Sequence, residues 1–334
     1  MAKQIDPHEL LKTISRGTAP PRPLFLPIVF SHAARIENVP LHTFLGNPTK
    51  ITQAQRQLRA HLRSDGLTCY FDPYLEVEAL GGILEWGEGE KPQVRWPRSA
   101  APGGLPAGPH SVGEVITRGR IPVAVEVIRR LKSLVRDECL LTAGISGPFV
   151  LAAQLTRTNR DVSGGAQIST GPLGLASEVI AAIAKAFLEA GANAILIREE
   201  LPSSTAGFPD LASLLATTVN IVRFYQALPV LLLSCESQSV SLVFQQNLDC
   251  IICPLWAETL PVIVKGLTKP APANLGLAIP VSEMAETPPR FERFAADFRS
   301  LVTELQPAVI TTSGDLPPTA DLRNLNKLGQ FLIA

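Results

Sequence analysis

The chain has 334 residues, of which 46% are hydrophobic and 18% are charged, so it is long and apolar enough to bury one large core or two ordinary ones. Thirty basic residues balance thirty acidic residues. This neutral balance disfavours nucleic acid and anionic membranes as partners, because both attract strongly basic proteins, and we expect a small-molecule substrate instead.

Cysteine usage and the N-terminal residues predict a reducing compartment. The five cysteines are odd in number, and most of them lie in apolar runs, which is typical of free thiols. Residues 1–7 lack the apolar segment of a signal peptide. No apolar stretch reaches membrane-spanning length without a charged or turn residue. The sequence therefore predicts a cytoplasmic protein.

Eight short apolar runs alternate with segments of helical periodicity. Continuous apolar runs of this length are typical of parallel strands that are buried on both faces. This alternation favours a closed α/β fold, the (β/α)8 TIM barrel, over a doubly wound open sheet. No G-x-G-x-x-G follows the first run, which disfavours a dinucleotide-binding sheet. The predicted strands are Leu24–Phe30, Leu67–Phe71, Leu140–Ile145, Ala194–Arg198, Val230–Ser234, Asp249–Cys253, Leu275–Pro280 and Ala308–Thr312.

The predicted domain organisation is one barrel over residues 24–334, preceded by an N-terminal extension over residues 1–23. The extension contains a predicted helix, His8–Ser15, and a proline-rich segment. After the second strand, the segment Gly81–Gly119 is rich in glycine and proline and includes Trp86. A long excursion of this kind is either a functional lid or an ordered surface flap.

Candidate site residues follow the predicted strands, because barrel enzymes place their active sites at the carboxyl ends of the strands. Polar and aromatic side chains at these positions can bind substrate, move protons or hold a metal ion. The candidates are His32, Asp72, Ser146, Glu199, Glu200, Cys235, Trp256, Ser282 and Asp315.

The main candidates also have structural alternatives. Asp72 can bind substrate or act as a base, or it can cap the next segment. Glu199 and Glu200 alternate along one strand, so one of them faces the site as a proton donor or metal ligand, unless they pair with arginine on the surface. Cys235 can bind zinc or be a buried core residue. His32 can bind zinc, act as a general base, or be a capping or core histidine.

Five parts of the chain carry motifs in a consistent order from Arg22 to Phe331. They are Ser31–Arg35; Asp65–Asp72 with Glu78–Gly81; Gly147–Ala152; Glu189–Ala194; and Thr311–Asp315 with Pro317 and Pro318. Together they resemble the R-Q-A-G-R, aspartate with A-L-G, G-P-[WF]-T-L-A, E-A-G-A-D-A and P-P-x-T-P motifs of the uroporphyrinogen decarboxylase and cobalamin-dependent methyltransferase superfamily. The resemblance implies a UroD-like barrel.

The resemblance assigns roles to individual residues and also reveals departures. In the decarboxylases, two arginines of R-Q-A-G-R hold substrate carboxylates; here Ser31 stands at the first position and Arg35 at the second. Asp72 aligns with the aspartate that binds pyrrole N–H groups. Gln154 replaces the family's tyrosine, and Glu200 replaces its serine. One arginine with extra acids disfavours a polycarboxylate porphyrinogen, because unpaired like charges are costly in a low-dielectric cavity.

The methyltransferase branch of the superfamily uses zinc, held by H-x-C at the end of the fifth strand and by a distal cysteine. Cys235 matches the first cysteine, whereas leucine stands at the histidine position and the distal cysteine is absent. A catalytic zinc ion needs three protein ligands. Cys235 could form a variant set with Glu236 and His32, or with Glu199 or Glu200.

The resemblance implies a methyltransferase that moves a methyl group between a small methylated donor and a corrinoid carried by a separate partner protein. One alternative is an enzyme similar to uroporphyrinogen decarboxylase, acting on a tetrapyrrole or another carboxylate. Another is a non-catalytic barrel that binds a corrinoid or tetrapyrrole, and the resemblance further implies a homodimer. The expected catalytic residues are Asp72, Glu199, Glu200 and Cys235, and the expected substrate contacts are His32, Arg35, Tyr70, Gln154, Trp256 and Asp315.

Overall fold

The structure, a computed structural model, describes residues 5–87, 91–97, 112–156, 170–200, 210–234, 251–253, 274–285 and 287–333. Every one of the predicted apolar runs contains a strand, and a short hairpin adds two more. The strands are β1 Leu24–Phe25, β2 Gly66–Tyr70, β3 Ile83–Glu85, β4 Gln93–Arg95, β5 Leu140–Ser146, β6 Ala194–Glu200, β7 Leu228–Ser234, β8 Ile251–Cys253, β9 Gly276–Ile279 and β10 Val309–Thr312.

Helices separate the strands along most of the described chain, as the alternating pattern predicts. The α-helices are α1 Pro7–Ser15, α2 His32–Ile36, α3 Leu41–Leu45, α4 Pro48–His61, α5 Leu75–Ala79, α6 Val112–Val115, α7 Ile121–Val135, α8 Pro148–Leu155, α9 Thr170–Glu189, α10 Leu211–Phe224, α11 Pro288–Leu305 and α12 Leu322–Ile333, and Val281–Ala285 forms a 3-10 helix.

Short-range signals set the starts of several helices. Asp6 accepts a hydrogen bond from the backbone N–H of His8, and Asn47 accepts one from Lys50. Asp210 caps α10 through the N–H of Ser213, at 2.7 Å. These side chains satisfy N–H groups that have no partner within the first turn of a helix.

Two parallel sheets carry the barrel strands in the order expected for a (β/α)8 fold. One sheet has the order β2-β5-β6-β7-β8, and the other has the order β1-β10-β9. Between them, the N–H of Asp65 donates to the carbonyl of Phe25 in β1 at 3.0 Å, and β8 contacts β9. The strands therefore follow one another around a ring, which confirms the predicted fold class and excludes the strand order of a doubly wound sheet.

Helix α9 is the most apolar long helix of the described chain. By length and composition alone, Gly171–Glu189 could cross a membrane, but 56% of its most apolar stretch is buried inside the molecule. The helix packs against α8, α10 and β5. This packing accounts for its apolar composition as that of a helix in the barrel core.

A buried ion pair ties the N-terminal segment to the barrel. The guanidinium of Arg22 donates to both carboxylate oxygens of Asp65 at 2.7 and 2.9 Å, and also to the carbonyls of Ile5 and Pro23. Asp65 accepts a further hydrogen bond from the N–H of Phe25 in β1. Residues 5–23 are therefore anchored at the start of β1 and β2.

The excursion after β2 contains an antiparallel hairpin, β3 with β4. The ring of Trp86 in this hairpin lies 6.0 Å from the ring of His42, centre to centre, near α3. Residues 88–90 and 98–111 of the excursion lie outside the described chain.

Replacing Arg22 by methionine should lower the free energy of unfolding by about 3–5 kcal/mol, because the Asp65 carboxylate would stay buried without its countercharge. The side chains of Arg22 and Asp65 are only 11% and 2% exposed. Urea denaturation of the purified chain measures this change.

Arg323→Met is the matched control, because Arg323 also makes a bidentate pair with an aspartate, Asp321, but is 88% exposed. Its loss should lower the free energy of unfolding far less than the loss of Arg22 does, because solvent screens an exposed ion pair. Equal effects of the two substitutions would contradict the role assigned to Arg22.

Candidate active site

A cavity of about 330 Å³ opens to solvent at the carboxyl ends of the strands. This is the face on which barrel enzymes carry their active sites. Its walls come from the loops after β1, β2 and β10, from the α3 region, from the hairpin and from the end of β6. The lining residues are Ser31, Leu41, Leu45, Phe71, Asp72, Pro73, Tyr74, Trp86, Lys91, Pro92, Arg198, Gly314, Asp315, Pro317 and Pro318.

A larger hollow of about 580 Å³ lies on the outer surface between α4 and α7. It is lined by side chains of these two helices, among them Thr52, Arg56 and Arg130, and lies away from the strand ends. It has no buried titratable group of the kind that marks an active site. The cavity at the strand ends is therefore the candidate site.

Asp72 reaches this cavity from the end of β2 and forms an ion pair with Arg120. Its Oδ2 lies 2.7 Å from Nη1 of Arg120, and its Oδ1 accepts a hydrogen bond from the N–H of Tyr74 at 3.0 Å. The Nε of Arg120 donates to Glu78 at 2.7 Å. Burial raises the pKa of Asp72, and the Arg120 guanidinium opposes that effect. Asp72 thus makes the local backbone contact of a cap and also faces the cavity.

The Asp72–Arg120 contact is close, but its angles are not those of a hydrogen bond. Among the described residues, Asp72 Oδ2 and both Nη atoms of Arg120 are buried without a hydrogen-bond partner. Such atoms are costly to bury unless a ligand completes their hydrogen bonds. Sequence reasoning missed Arg120, which belongs to no motif and directly precedes α7.

Asp315 lies across the cavity, in the loop after β10. It accepts hydrogen bonds from the N–H of Phe30 at 2.7 Å, from the N–H of Ser31 at 2.8 Å and from the Ser31 hydroxyl. Burial nevertheless raises the pKa of Asp315 to about 6. Ser31, at the position of the family's first arginine, is therefore paired with an acid at the rim of the cavity.

The side chains of consecutive residues at the end of β6 point in opposite directions. Arg198 lines the cavity, whereas Glu199 is fully buried on the other side. Glu199 accepts hydrogen bonds from the N–H groups of Phe149 and Val150, in the first turn of α8, at 3.1 and 3.0 Å. Burial raises its pKa to about 7. Glu199 thus caps α8, and the structure places it outside the cavity as a structural residue.

Gly147, which directly precedes α8, lies too close to Glu199 to carry a side chain. A Cβ at this position would lie 2.5 Å from Oε2 of Glu199, closer than any real contact allows. The N–H of Gly147 also donates to the carbonyl of Arg198 at 2.6 Å. The glycine therefore permits the close approach of α8 to the end of β6.

A second buried carboxyl supports the neighbouring strand end. Glu76 in α5 accepts hydrogen bonds from the N–H and the hydroxyl of Ser146, at 2.8 and 3.1 Å. Burial raises the pKa of Glu76. Ser146, a candidate from its position at the end of β5, is thus held in a structural contact.

Other predicted site residues lie near the cavity without lining it. Tyr70 is buried in the barrel and donates its hydroxyl proton to the carbonyl of Leu45 at 2.8 Å. Arg35 is exposed and donates to the carbonyl of Pro318 at 2.9 Å. The remaining three are Gln154, which donates to the carbonyl of Pro73; His32, whose Nδ1 lies 3.4 Å from the carbonyl of Pro317; and Glu200 at the end of β6.

The described residues do not fit a zinc ion. They contain no group of three His, Cys, Asp or Glu side chains close enough to share a metal. Asp72 and Asp315 are engaged with Arg120 and Ser31, and burial lowers the pKa of His32 beside a backbone carbonyl. The predicted zinc ligands Cys235 and Glu236, together with Trp256, lie outside the described residues.

The pKa of Asp315 predicts a specific pH dependence of stability. Between pH about 4 and 6 the folded chain should hold a proton that the unfolded chain has lost, since burial raises this pKa to about 6. The free energy of unfolding should therefore fall as pH rises through this window, by about 3 kcal/mol at most from this group. Asp315→Asn mimics the protonated acid, so urea denaturation at pH 4, 5 and 6 should give a flatter slope.

Asp321→Asn is the control for this measurement. Arg323 lowers the pKa of the exposed Asp321, so its titration lies below the window. Its removal should leave the slope between pH 4 and 6 unchanged. A wild-type slope in Asp315→Asn would show that Asp315 does not titrate in this range.

Comparisons with known proteins agree with this architecture. A methyltransferase from Methanosarcina mazei superposes on 99% of this chain and 100% of its own, with a TM-score of 0.74 and 14% identity. A B12-independent methionine synthase from a Shewanella species gives a TM-score of 0.41 at 14% identity, over 62% of this chain and 65% of its own. No curated protein sequence matches the chain. The family model described as uroporphyrinogen decarboxylase (URO-D) matches residues 6–210, more than half of the chain, so the protein belongs to the uroporphyrinogen decarboxylase family.

Proposed function

We propose that this chain is a UroD-like methyltransferase that moves a methyl group between a small methylated compound and a corrinoid carried by a separate partner protein. The observation that carries the proposal is a small, open cavity at the carboxyl ends of the strands, lined by two carboxyl groups, those of Asp72 and Asp315. The full-length likeness of the fold to a methyltransferase supports it.

The size of the cavity favours a small substrate. Its volume of about 330 Å³ is at the lower end of the roughly 300–1,000 Å³ found for small-molecule sites. Uroporphyrinogen carries four pyrrole rings and eight carboxylates, and Ser31 stands where the decarboxylases have an arginine. Arg35 is turned to the carbonyl of Pro318. These features disfavour a polycarboxylate tetrapyrrole.

A methyl donor with an oxygen, nitrogen or sulfur leaving atom needs a proton when its methyl group departs. When the partner protein docks, its corrinoid supplies the cobalt nucleophile that accepts the methyl group. Protonated Asp315 can donate to the Ser31 hydroxyl, which then has its own proton free to donate to the leaving atom. The pair thus acts as a general acid at the cavity wall.

Asp72 serves a different role, because Arg120 provides its countercharge. Asp72 Oδ2 and the two Nη atoms of Arg120 are among the buried polar atoms that lack hydrogen bonds within the described chain. Held in place by Arg120, the Asp72 side chain that lines the cavity can orient a polar group of the donor so that its methyl group points to the cavity mouth. The predicted zinc ligands Cys235 and Glu236 lie outside the described residues, so a zinc ion at this site stays a prediction.

Decarboxylation of a small carboxylate is the second candidate. It is favoured by Asp72 at the position of the family's catalytic aspartate, with the cationic side chain of Arg198 in the same cavity. Release of carbon dioxide, rather than methyl transfer, would identify it.

The proposal is tested with free cob(I)alamin as acceptor and a panel of methanol, methylamines, dimethyl sulfide and methoxyacetate as donors. Formation of methylcobalamin is followed by its absorbance. Asp72→Asn and Asp315→Asn should each lower the rate about 100-fold or more, in the range typical of lost acid–base or orienting groups. The exposed Asp321→Asn should retain the wild-type rate.

Ser31→Ala should reproduce much of the loss seen in Asp315→Asn, and the double variant should lose little more, because the two residues act as one unit. The wild-type rate should decline as pH rises above about 6, when Asp315 loses its proton. Carbon dioxide release without methylcobalamin, or wild-type rates in both aspartate variants, would contradict the proposal.

A further inference from the structure

Arg198 is held rigidly at the edge of the cavity by the barrel itself. Its backbone pairs with Ser146 of β5 on one side and Leu232 of β7 on the other. Its carbonyl accepts the N–H of Gly147 at 2.6 Å. A side chain that starts from a fixed backbone and lines the cavity is well suited to define where a ligand lies.

The charges around the cavity are not balanced. Arg198 and Lys91 both line it. Of the two acids that line it, Asp72 is paired with Arg120, and Asp315 is hydrogen-bonded to Ser31. Because Arg120 provides the countercharge of Asp72, the two cations on the described part of the wall face one carboxyl group without a cationic partner there, that of Asp315.

Arg198 has no described carboxylate within ion-pair distance. Its neighbour Glu199 is turned away and accepts N–H groups at the start of α8. A partly buried guanidinium that has no ion-pair partner among the described residues is an attractive partner for an anion, because burial strengthens the interaction.

Tyr74 lines the same cavity as Arg198. Burial raises the pKa of the Tyr74 phenol, and the Arg198 guanidinium opposes that shift, so the two groups interact. The phenol can donate one hydrogen bond, and the guanidinium presents a planar fork that matches two oxygens of a carboxylate. Together the two side chains can offer three donors to a ligand in the cavity.

We propose that Arg198 and Tyr74 form an anion-binding subsite, and that the small substrate carries a carboxylate or a similar oxyanion. This inference deepens the proposed function and rests on it for the nature of the reaction. The resemblance assigns carboxylate binding to Arg35, but that residue is exposed and bound to the carbonyl of Pro318. We therefore place the anion-binding subsite at the end of β6 and not in the loop after β1.

The test compares matched charged and neutral probes that differ only at the proposed anionic group. Methoxyacetate, (methylthio)acetate and N,N-dimethylglycine are titrated by calorimetry against the full chain, each beside its primary amide, which lacks the carboxylate charge. Wild-type protein should bind at least one carboxylate about 10-fold or more tightly than its amide. Failure of all three carboxylates to bind more tightly would overturn the subsite.

Three variants locate the binding group. Arg198→Met should abolish the preference for carboxylate over amide, and Arg198→Lys should retain a part of it, since lysine keeps the charge but loses the bidentate fork. Arg35→Met is the matched control and should bind as wild type does. Loss of the preference in Arg35→Met with retention in Arg198→Met would assign the anion to the loop after β1 and overturn the inference.

Two further measurements separate this inference from the proposed function. Thermal unfolding of Arg198→Met and Arg198→Lys confirms that both variants fold, so that lost binding is not lost structure. The titrations contain no corrinoid, so carboxylate binding through Arg198 without any methyl transfer would leave the subsite standing and reject the methyltransferase. Methyl transfer from neutral donors at equal rates in wild type and Arg198→Met, without a preference for carboxylates, would support the methyltransferase and reject the anion-binding subsite.

Discussion

The alternation of side chains along buried parallel strands is the constraint on which the rest of the structure depends. Each barrel strand turns one set of residues to the interior and the other set to the helices. At the end of β6 this places Arg198 in the cavity and Glu199 under α8, although the two are neighbours in sequence. A one-residue change of register would put the arginine against a helix N-terminus, where positive charge is unfavourable.

The buried carboxyl groups differ in what their surroundings leave for a ligand. Glu76 and Glu199 are satisfied by backbone N–H groups and a serine, so they hold strand ends and a helix in place. Asp65 serves the N-terminal segment through Arg22. Asp72 and Asp315 also have protein partners, but both reach a solvent-accessible cavity. Access to the cavity, rather than burial, separates the two acids that we propose as functional from the structural ones.

The chain keeps the fold of its family, whereas residues around the cavity differ from those of the decarboxylases. The barrel and its motifs remain those of the uroporphyrinogen decarboxylase family, and their glycines and carboxyls still perform structural tasks, as Gly147 and Glu199 show. Around the cavity, serine has replaced an arginine at position 31, and Arg198 supplies a cation from another strand. A shared barrel can host different ligands because the side chains at the strand ends are not needed for closing it.

The sequence by itself determined the eight strands and the cavity positions of Asp72 and Asp315, because apolar runs, turn residues and strand ends are local features. It could not find Arg120, whose contact with Asp72 depends on how α7 packs beside β2. Nor could it separate Tyr70, which is buried in the barrel, from Tyr74, which lines the cavity. Those outcomes were decided only by the tertiary structure, since side-chain direction and pairing across distant segments depend on the packing of the whole chain.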